Sequence, residues 1–318
     1  MRKRTPVVLG AMAAAAAATL AAGQRRLRSL NDLSADARSE PLERHCADVE
    51  GIRMAWTERG DGLPVVLLHG IPTSPDLWRK VMPHLSGARV LAWEMVGYGS
   101  SIPEGRGRDL SLAAQAEYLA RWMRQLGLRK AVIAGHDLGG GVAQILAVRH
   151  RDLCGGLFLT NGVGYDSWPI PSVAAMRASA GLMRHLPDAA LKLLLANMYA
   201  RGHDDPSEAR EAYAVHAAHY LEHGGAAALI RQIECLDARD TLAVADRLPA
   251  LGIPARIVWG DADGFQKIEY GERFARDLNA PLRKIVGGRH FTPEDHPDII
   301  AEEINQLIRT VVEQSRRG

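Results

Sequence analysis

One segment, residues 130–142, constrains the fold of this 318-residue chain more than any other. It begins with a continuous apolar run, Ala-Val-Ile-Ala, which is typical of a strand buried on both faces of a sheet. Gly135, Gly139 and Gly140 then surround one functional side chain, Asp137, before the sequence becomes apolar again. Because glycines tolerate sharp turns and close backbone contacts, the segment predicts a strand, a tight turn that presents Asp137, and a helix.

Short apolar runs alternate with amphipathic stretches in the rest of the chain. This rhythm predicts an α/β fold with a mostly parallel central sheet flanked by helices. Apolar residues at helical spacing predict helices over residues 111–126 and 297–312. The apolar runs predict strands at residues 51–57, 65–69, 89–93, 130–134, 156–160, 255–260 and 282–286.

The alternation of apolar runs and amphipathic stretches stops between residues 164 and 248. Strand signals are absent there, and helical patterns occur at 189–199 and 207–221. A long stretch of this kind inside a sheet protein predicts an inserted helical cap. We therefore expect a core formed by residues 45–163 and 249–318, with the cap at 164–248.

Residues 1–44 are expected to form an N-terminal extension and linker outside the fold. Basic residues at 2–4 precede an alanine-rich apolar run that ends near Gly23, the order of a signal peptide. Further arginines follow at once, and positive charge on the far side of an apolar segment opposes its translocation. Two interpretations stay open: export or membrane anchoring through this segment, or an extension of a cytoplasmic protein.

Charge and cysteine content exclude several classes of partner. The chain has 39 basic and 37 acidic residues, a formal net charge of +2, so it presents no strong field for nucleic acid. Cys46, Cys154 and Cys235 lack the short spacings of a disulfide framework or a zinc cluster, and we expect no metal site. The sequence does not indicate an oligomeric state.

Three further features place chemistry around Asp137. A strand that turns sharply into a helix at a glycine-flanked polar residue is the pattern of a nucleophile elbow. The loop His-Gly-Ile-Pro after an upstream strand would bring the N–H of Ile71 beside that of Leu138, two donors for developing negative charge. Downstream, Asp263 and His290 each follow a predicted strand, which completes the chain order nucleophile, acid, base.

In these motifs the sequence resembles the α/β-hydrolases of the epoxide hydrolase and haloalkane dehalogenase branch, whose nucleophile is an aspartate. The resemblance covers residues 50–312 and implies the α/β-hydrolase fold. It selects Asp263 over Asp261 as the acid, because Asp263 is the second aspartate of the motif W-G-x-x-D. In some relatives the acid follows the strand after the elbow helix. Here that position is Asn161, whose amide cannot serve as a carboxylate.

An aspartate nucleophile indicates a particular reaction. A carboxylate is already charged at pH 7 and is suited to displacement at a saturated carbon, which leaves an alkyl ester on the enzyme. His290, oriented by Asp263, would then activate a water molecule that cleaves the ester of Asp137. The expected partners are a small-molecule substrate and water, and the expected chemistry uses no cofactor.

The leaving group separates the candidate functions. Halide-binding relatives place a Trp directly after the nucleophile and an Asn or Glu in the oxyanion loop, whereas this chain has Leu138 and Ile71. Epoxide hydrolases use cap tyrosines, and we take Tyr220 and Trp168 as candidate substrate-binding residues of the cap. Epoxide hydrolysis is therefore favoured. Haloalkane or haloacid dehalogenation is the alternative, and a non-catalytic ligand-binding protein of this fold is the alternative of another class.

Overall fold

The computed structural model describes residues 44–317, and its centre is an eight-stranded sheet. The strand order is β1-β2-β4-β3-β5-β6-β7-β8. Strand β2 is antiparallel to both of its neighbours, whereas the pairs from β4 to β8 are all parallel. The strands are β1 (Arg44–Val49), β2 (Ile52–Arg59), β3 (Leu63–Leu68), β4 (Ala88–Trp93), β5 (Ala131–Asp137), β6 (Cys154–Gly162), β7 (Ala255–Gly260) and β8 (Leu282–Ile285).

The central strands are covered on both faces by helices. Every residue of β5 is buried, as its continuous apolar sequence predicts for a parallel strand inside a layered protein. Helix α1 buries the stripe that includes Leu112, Leu119 and Trp122 and leaves its polar face in solvent. The helices outside the insertion are α1 (Leu112–Gln125), α2 (Leu138–Arg149), α9 (Ile268–Asp277), α10 (Thr292–Asp295) and α11 (Pro297–Arg317).

A helical segment separates β6 from β7 and lies over the loop that follows β3. The Tyr199 hydroxyl donates to the carbonyl oxygen of Pro72 at 2.7 Å, and the Ser74 Oγ lies 3.0 Å from His216 Nδ1. These contacts place the segment above the carboxyl ends of the strands. Its helices are α3 (Pro171–Ala178), α4 (Ala180–Met183), α5 (Asp188–Gly202), α6 (Pro206–Glu222), α7 (Gly225–Glu234) and α8 (Arg239–Ala245).

Buried charges join this helical segment to the sheet domain. The Arg79 guanidinium donates to Glu211 of α6 at 2.6 Å and also pairs with the buried Glu294 of α10. Next to them, His203 Nδ1 lies 2.8 Å from the Asp295 carboxylate. Burial opposes the charge on His203, but the Asp295 and Glu294 carboxylates outweigh it and raise the pKa of the imidazole to about 9.

One strand of the sheet, β1, was not predicted from the sequence. Strand β1 lies at the sheet edge and pairs with β2 alone. Its first five residues alternate between exposed and half-buried, and Val49 is buried. An edge strand exposed on one face needs no apolar run. Because the sequence from Arg44 to Asp48 is largely polar, it gave no signal that predicted this strand. The remaining residues of the expected extension, 1–43, lie outside the described residues. Within residues 44–317, no helix combines the length and the apolar character needed to cross a bilayer.

Candidate active site

The turn between β5 and α2 presents Asp137 above the sheet. Asp137 has φ of 51° and ψ of −122°, a conformation that residues with a side chain rarely adopt. The neighbouring glycines make the turn possible: a Cβ atom on Gly139 would lie 2.3 Å from the carbonyl oxygen of Leu68. Asp137 immediately precedes α2 but makes no side-chain capping bond to it. Its carboxylate is therefore directed away from the helix and toward the loops above the sheet.

The Asp137 carboxylate is held at both oxygens. Its Oδ1 accepts a hydrogen bond of 2.9 Å from the N–H of Ile71, and its Oδ2 lies 3.5 Å from His290 Nε2. Gly70 makes this approach possible, because a Cβ atom there would come within 2.2 Å of Oδ1. Burial opposes ionisation, but His290 and the Ile71 N–H hold the pKa of Asp137 below its ordinary value. The side chain is thus an oriented, ionised carboxylate.

One of the two donors expected for the oxyanion hole contacts Asp137. The N–H of Ile71 bonds to the Asp137 side chain, as described above. The N–H of Leu138 opens helix α2 and has no carbonyl partner within that helix. Within residues 44–317 the Asp137 side chain accepts no bond from Leu138, so the structure brings one of the two expected N–H groups into contact with the carboxylate.

His290 lies between two carboxylates. Its Nδ1 is 2.8 Å from Asp263 Oδ2, and its Nε2 faces Asp137. Burial lowers the pKa of an imidazole, but here the two carboxylates outweigh it and raise the pKa of His290 to about 10. The alternative acid, Asp261, is exposed and accepts a hydrogen bond from the N–H of Gly287 at 2.7 Å. Asp263 is therefore the aspartate that contacts the imidazole.

Asn161 is a site residue to which sequence reasoning gave no role. It is the penultimate residue of β6, with φ of 43°, and its Nδ2 donates to Asp263 Oδ2 at 2.7 Å. Its Oδ1 accepts from the N–H of Gly260 at 3.2 Å and from the Thr292 hydroxyl at 3.1 Å. The amide thus bonds to the same oxygen of Asp263 that contacts the imidazole and helps to hold it in place. The sequence feature that could have indicated this role is the position of Asn161 at the carboxyl end of a strand that neighbours β7.

A cavity of about 210 Å³ opens above Asp137 and His290. Its walls are largely apolar, and its volume is below the ~300–1,000 Å³ of pockets for drug-sized ligands, which fits a small substrate. Ile71, Leu138 and Trp168 all contribute to the lining. The Trp168 indole N–H donates to the Thr241 hydroxyl at 2.8 Å, so this residue offers the cavity an apolar surface rather than a free donor.

The structure does not bring Tyr220 to this cavity. Tyr220 lies on the buried face of α6, and its hydroxyl donates to Gln232 Oε1 at 2.8 Å. The Gln232 amide in turn donates to the carbonyl oxygen of Gly97 at 2.7 Å, so both groups are used in packing α6 and α7 on the core. Helical periodicity alone does not tell which neighbour a buried face meets. Among the described lining residues there is no tyrosine.

The fold, the sharp turn at Asp137 and the pair His290 and Asp263 define an α/β-hydrolase. A sequence model described as the alpha/beta hydrolase fold matches residues 64–297 of the chain. The chain belongs to the α/β-hydrolase fold family, in the branch of the epoxide hydrolases and haloalkane dehalogenases, and it is an enzyme of that family.

Named relatives define this branch. Soluble epoxide hydrolase of Corynebacterium sp. is 35% identical over 171 residues, which cover 51% of this chain and 59% of that protein. Haloalkane dehalogenase 2 of Mycobacterium bovis is 30% identical over 288 residues, which cover 86% of this chain and 97% of that protein. Among solved structures, an alpha/beta hydrolase fold protein from Burkholderia ambifaria has a TM-score of 0.75 and 27% identity, covering 83% of this chain and all of that one.

Proposed function

We propose that this hydrolase opens epoxides through a covalent ester on Asp137. The observation that carries the proposal is the arrangement of that carboxylate. One oxygen is held by the Ile71 N–H, and the other faces the imidazole of His290. Oδ2, 3.5 Å from His290 Nε2 and without a backbone donor among the described residues, is suited to attack carbon. Oδ1 already occupies the position where negative charge would develop in the second step.

The reaction divides into two balanced steps. In the first, Asp137 Oδ2 forms a bond to one epoxide carbon, the carbon–oxygen bond of the ring breaks, and the ring oxygen takes up the proton that His290 releases. In the second, His290 accepts a proton from water as the water oxygen attacks the ester carbonyl carbon of Asp137. The oxyanion on Oδ1 is stabilised by the Ile71 N–H. Collapse of this intermediate releases a diol and restores the carboxylate.

The protonation state of His290 supports this order of the two reaction steps. In the resting enzyme the pKa of about 10 leaves the imidazole protonated beside the charged Asp137. Esterification removes the charge of Asp137, so one of the two carboxylates that raise the pKa of His290 is lost and the imidazole becomes able to release its proton. Epoxide opening consumes one proton, because an alkoxide becomes an alcohol. The site therefore returns to its starting charge after each turnover without a net exchange of protons.

Dehalogenation of a haloalkane or a haloacid is the second candidate. The Mycobacterium bovis relative, aligned over 97% of its length, is the observation in its favour. A departing halide needs hydrogen-bond donors, however, and Leu138 and Ile71 supply apolar side chains at the floor of the cavity. The Trp168 indole N–H is already bonded to Thr241. The third alternative, a non-catalytic binding protein, is disfavoured by the enzymes among its relatives.

Trapping the ester tests the proposal. The His290→Gln variant is expected to be alkylated without turnover, so intact-protein mass spectrometry after incubation with styrene oxide should show an adduct on Asp137. The epoxide adduct carries the whole mass of the substrate, whereas 1-chlorobutane or chloroacetate would add the substrate mass less HCl. The double variant Asp137→Ala/His290→Gln is the control and should stay unmodified.

The outcomes separate the candidates. An adduct with styrene oxide, together with diol release by the unsubstituted enzyme, supports epoxide hydrolysis. An adduct only with the chlorinated compounds supports dehalogenation. Product release by the unsubstituted enzyme without any adduct in His290→Gln would contradict a covalent mechanism of either kind.

A further inference from the structure

The cavity has a polar edge that the proposed chemistry does not use. Among its described lining residues, the charged side chains are Asp137, His290 and Arg201. Asp137 and His290 pair with each other across the cavity floor. Arg201, near the end of α5, is exposed and forms no ion pair with any residue in the range 44–317. The cavity thus carries a cation that is free to meet a ligand.

The Arg201 guanidinium is held close to the reacting groups by Phe265. Its Cζ atom lies 5.0 Å from the centre of the Phe265 ring, a cation–π distance. The same ring lies edge-on to the His290 imidazole, with 5.1 Å between ring centres. The Phe265 backbone is fixed as well, because its N–H donates to Asp263 Oδ1 at 2.7 Å. The guanidinium therefore lies one aromatic ring away from the imidazole.

The residue next to Phe265 supplies a second, independent sign of a ligand. Gln266 lines the cavity with 2% of its surface exposed, and its Oε1 is buried without a partner in the described part of the chain. Its backbone is held by the Trp259 indole, which donates to the Gln266 carbonyl oxygen at 2.8 Å. Buried polar atoms are rarely left without a partner, because the lost hydrogen bond is costly. A 180° flip of the amide puts its NH2 group in the place of Oε1, where it can donate to a ligand that only accepts hydrogen bonds.

We propose that Arg201, Gln266 and Asn197 form a subsite for a carboxylate, so that the preferred substrate is a small apolar acid bearing the reactive carbon. Asn197 also lines the cavity and lies four residues before Arg201, on the same face of α5. A carboxylate matches a guanidinium with two parallel hydrogen bonds and accepts further bonds from amide NH2 groups. The rest of the lining is apolar and suits a short hydrocarbon chain.

The charge of the cavity is compatible with an anion. The protonated imidazole of His290 offsets the nearby Asp137 carboxylate, so an incoming carboxylate meets the charge of Arg201 without an unopposed negative charge on the floor. The prediction that this substrate carries a reactive carbon rests on the proposed function, whereas the predicted binding of its carboxylate does not. Binding and turnover are therefore measured separately.

Binding is tested with unreactive probes of matched shape, heptanoate and heptanamide, by isothermal titration calorimetry. Heptanoate is expected to bind the unsubstituted enzyme ~10- to 100-fold more tightly than heptanamide, and Arg201→Gln should remove this difference. Gln266→Leu should weaken heptanoate binding by ~10-fold. Lys192→Gln is the matched control, because Lys192 is on the same helix outside the cavity lining and the same charge is removed. It should leave both affinities unchanged.

Turnover is tested with 6,7-epoxyheptanoic acid and its primary amide. The acid should have the higher kcat/KM, and Arg201→Gln should lower the value for the acid through KM while the amide is unaffected. Equal binding of heptanoate by the unsubstituted enzyme and Arg201→Gln, or no binding to either, would overturn the subsite. Turnover of the epoxides without any preference for the acid would overturn it as well and leave epoxide hydrolysis standing. Heptanoate binding that depends on Arg201, without epoxide turnover, would uphold the subsite and contradict the proposed function.

Discussion

The floor and the edge of the cavity differ in how completely their polar groups are satisfied. On the floor, Asp137, His290 and Asp263 form a continuous chain of contacts, and Asn161 also bonds to Asp263. At the edge, the guanidinium of Arg201 and the amide oxygen of Gln266 have no polar partner in the described residues. A floor that needs no rearrangement is suited to chemistry, and an edge with unused polar groups is suited to recognition.

This difference follows from where the side chains originate. Asp137, Asn161 and Asp263 come from the ends of adjacent strands of one sheet, whose spacing is set by backbone hydrogen bonds. Arg201 comes from α5, outside the sheet, which contacts the sheet domain through side chains and through the Gly202 carbonyl oxygen. We therefore expect substitutions on the floor to change kcat and substitutions at the edge to change KM. The predictions below test this separation.

The largest effect is expected from removing the proposed nucleophile. Asp137→Ala should lower kcat at least ~10⁴-fold, because no other side chain on the floor can form the ester, while affinity for an unreactive ligand should persist. Steady-state diol formation and calorimetric titration of heptanoate measure the two quantities. Asp261→Asn, an exposed aspartate two residues before Asp263, is the control and should keep kcat within about twofold. Substantial turnover by Asp137→Ala would indicate that water attacks the substrate directly.

A slightly smaller loss is expected from Asp263→Asn. An amide at this position can donate to His290 Nδ1 and so favours the wrong tautomer of the imidazole, which typically costs ~10³- to 10⁴-fold in kcat. The first step does not need His290 as a base, so the ester on Asp137 should accumulate in this variant. Rapid quenching followed by mass spectrometry measures the ester. Loss of turnover without accumulation of the ester would place the role of Asp263 in the first step.

Asn161 should act as a positioning residue with an intermediate effect. Asn161→Ala removes the hydrogen bond to Asp263 Oδ2, and losing a bond to a charged group predicts a ~10- to 100-fold lower kcat. Because Asp263 would then be less well oriented, the rate of ester hydrolysis should fall more than the rate of ester formation. Single-turnover kinetics resolve the two rates. Equal reductions in both would indicate a general disturbance of the site rather than misplacement of Asp263.

The contrast between the floor and the edge of the cavity also explains which site residues could be predicted from the sequence alone. Glycine spacing and strand order determine backbone positions, so the sequence predicted that Asp137, Asp263 and His290 would occupy strand ends, and the structure brings them within contact. Tyr220 was not predictable in the same way. Its environment depends on which side of α6 meets α7, a question of packing between helices that periodicity along one helix does not answer.

Asn161 and β1 illustrate two further limits. The sequence showed that Asn161 could not be the acid, but its role arises from contacts with Gly260 and Thr292, which are distant in the chain. Strand β1 has a polar sequence because half of it faces solvent at the sheet edge, so it carried no apolar signal. Both features depend on long-range pairing rather than on local pattern.

The smallest effect concerns the joint between α5 and the sheet domain, which links the two regions. His203 has a pKa of about 9 in the folded protein, raised against burial by Asp295 and Glu294, and an ordinary value near 6.5 when unfolded. The folded state therefore binds more protons than the unfolded state between these values, so this stabilisation is complete below pH 6.5 and is lost as the pH rises through 9. It amounts to at most about 3 kcal/mol.

Urea unfolding of His203→Gln at pH 6 and pH 9.5 should show a smaller loss of stability with pH than the unsubstituted enzyme does, although His290 adds a loss of the same sign to both proteins. Identical losses in the two proteins would show that the charge of His203 does not stabilise the joint, whose other contacts include the Arg79 ion pairs and the Tyr199 hydrogen bond.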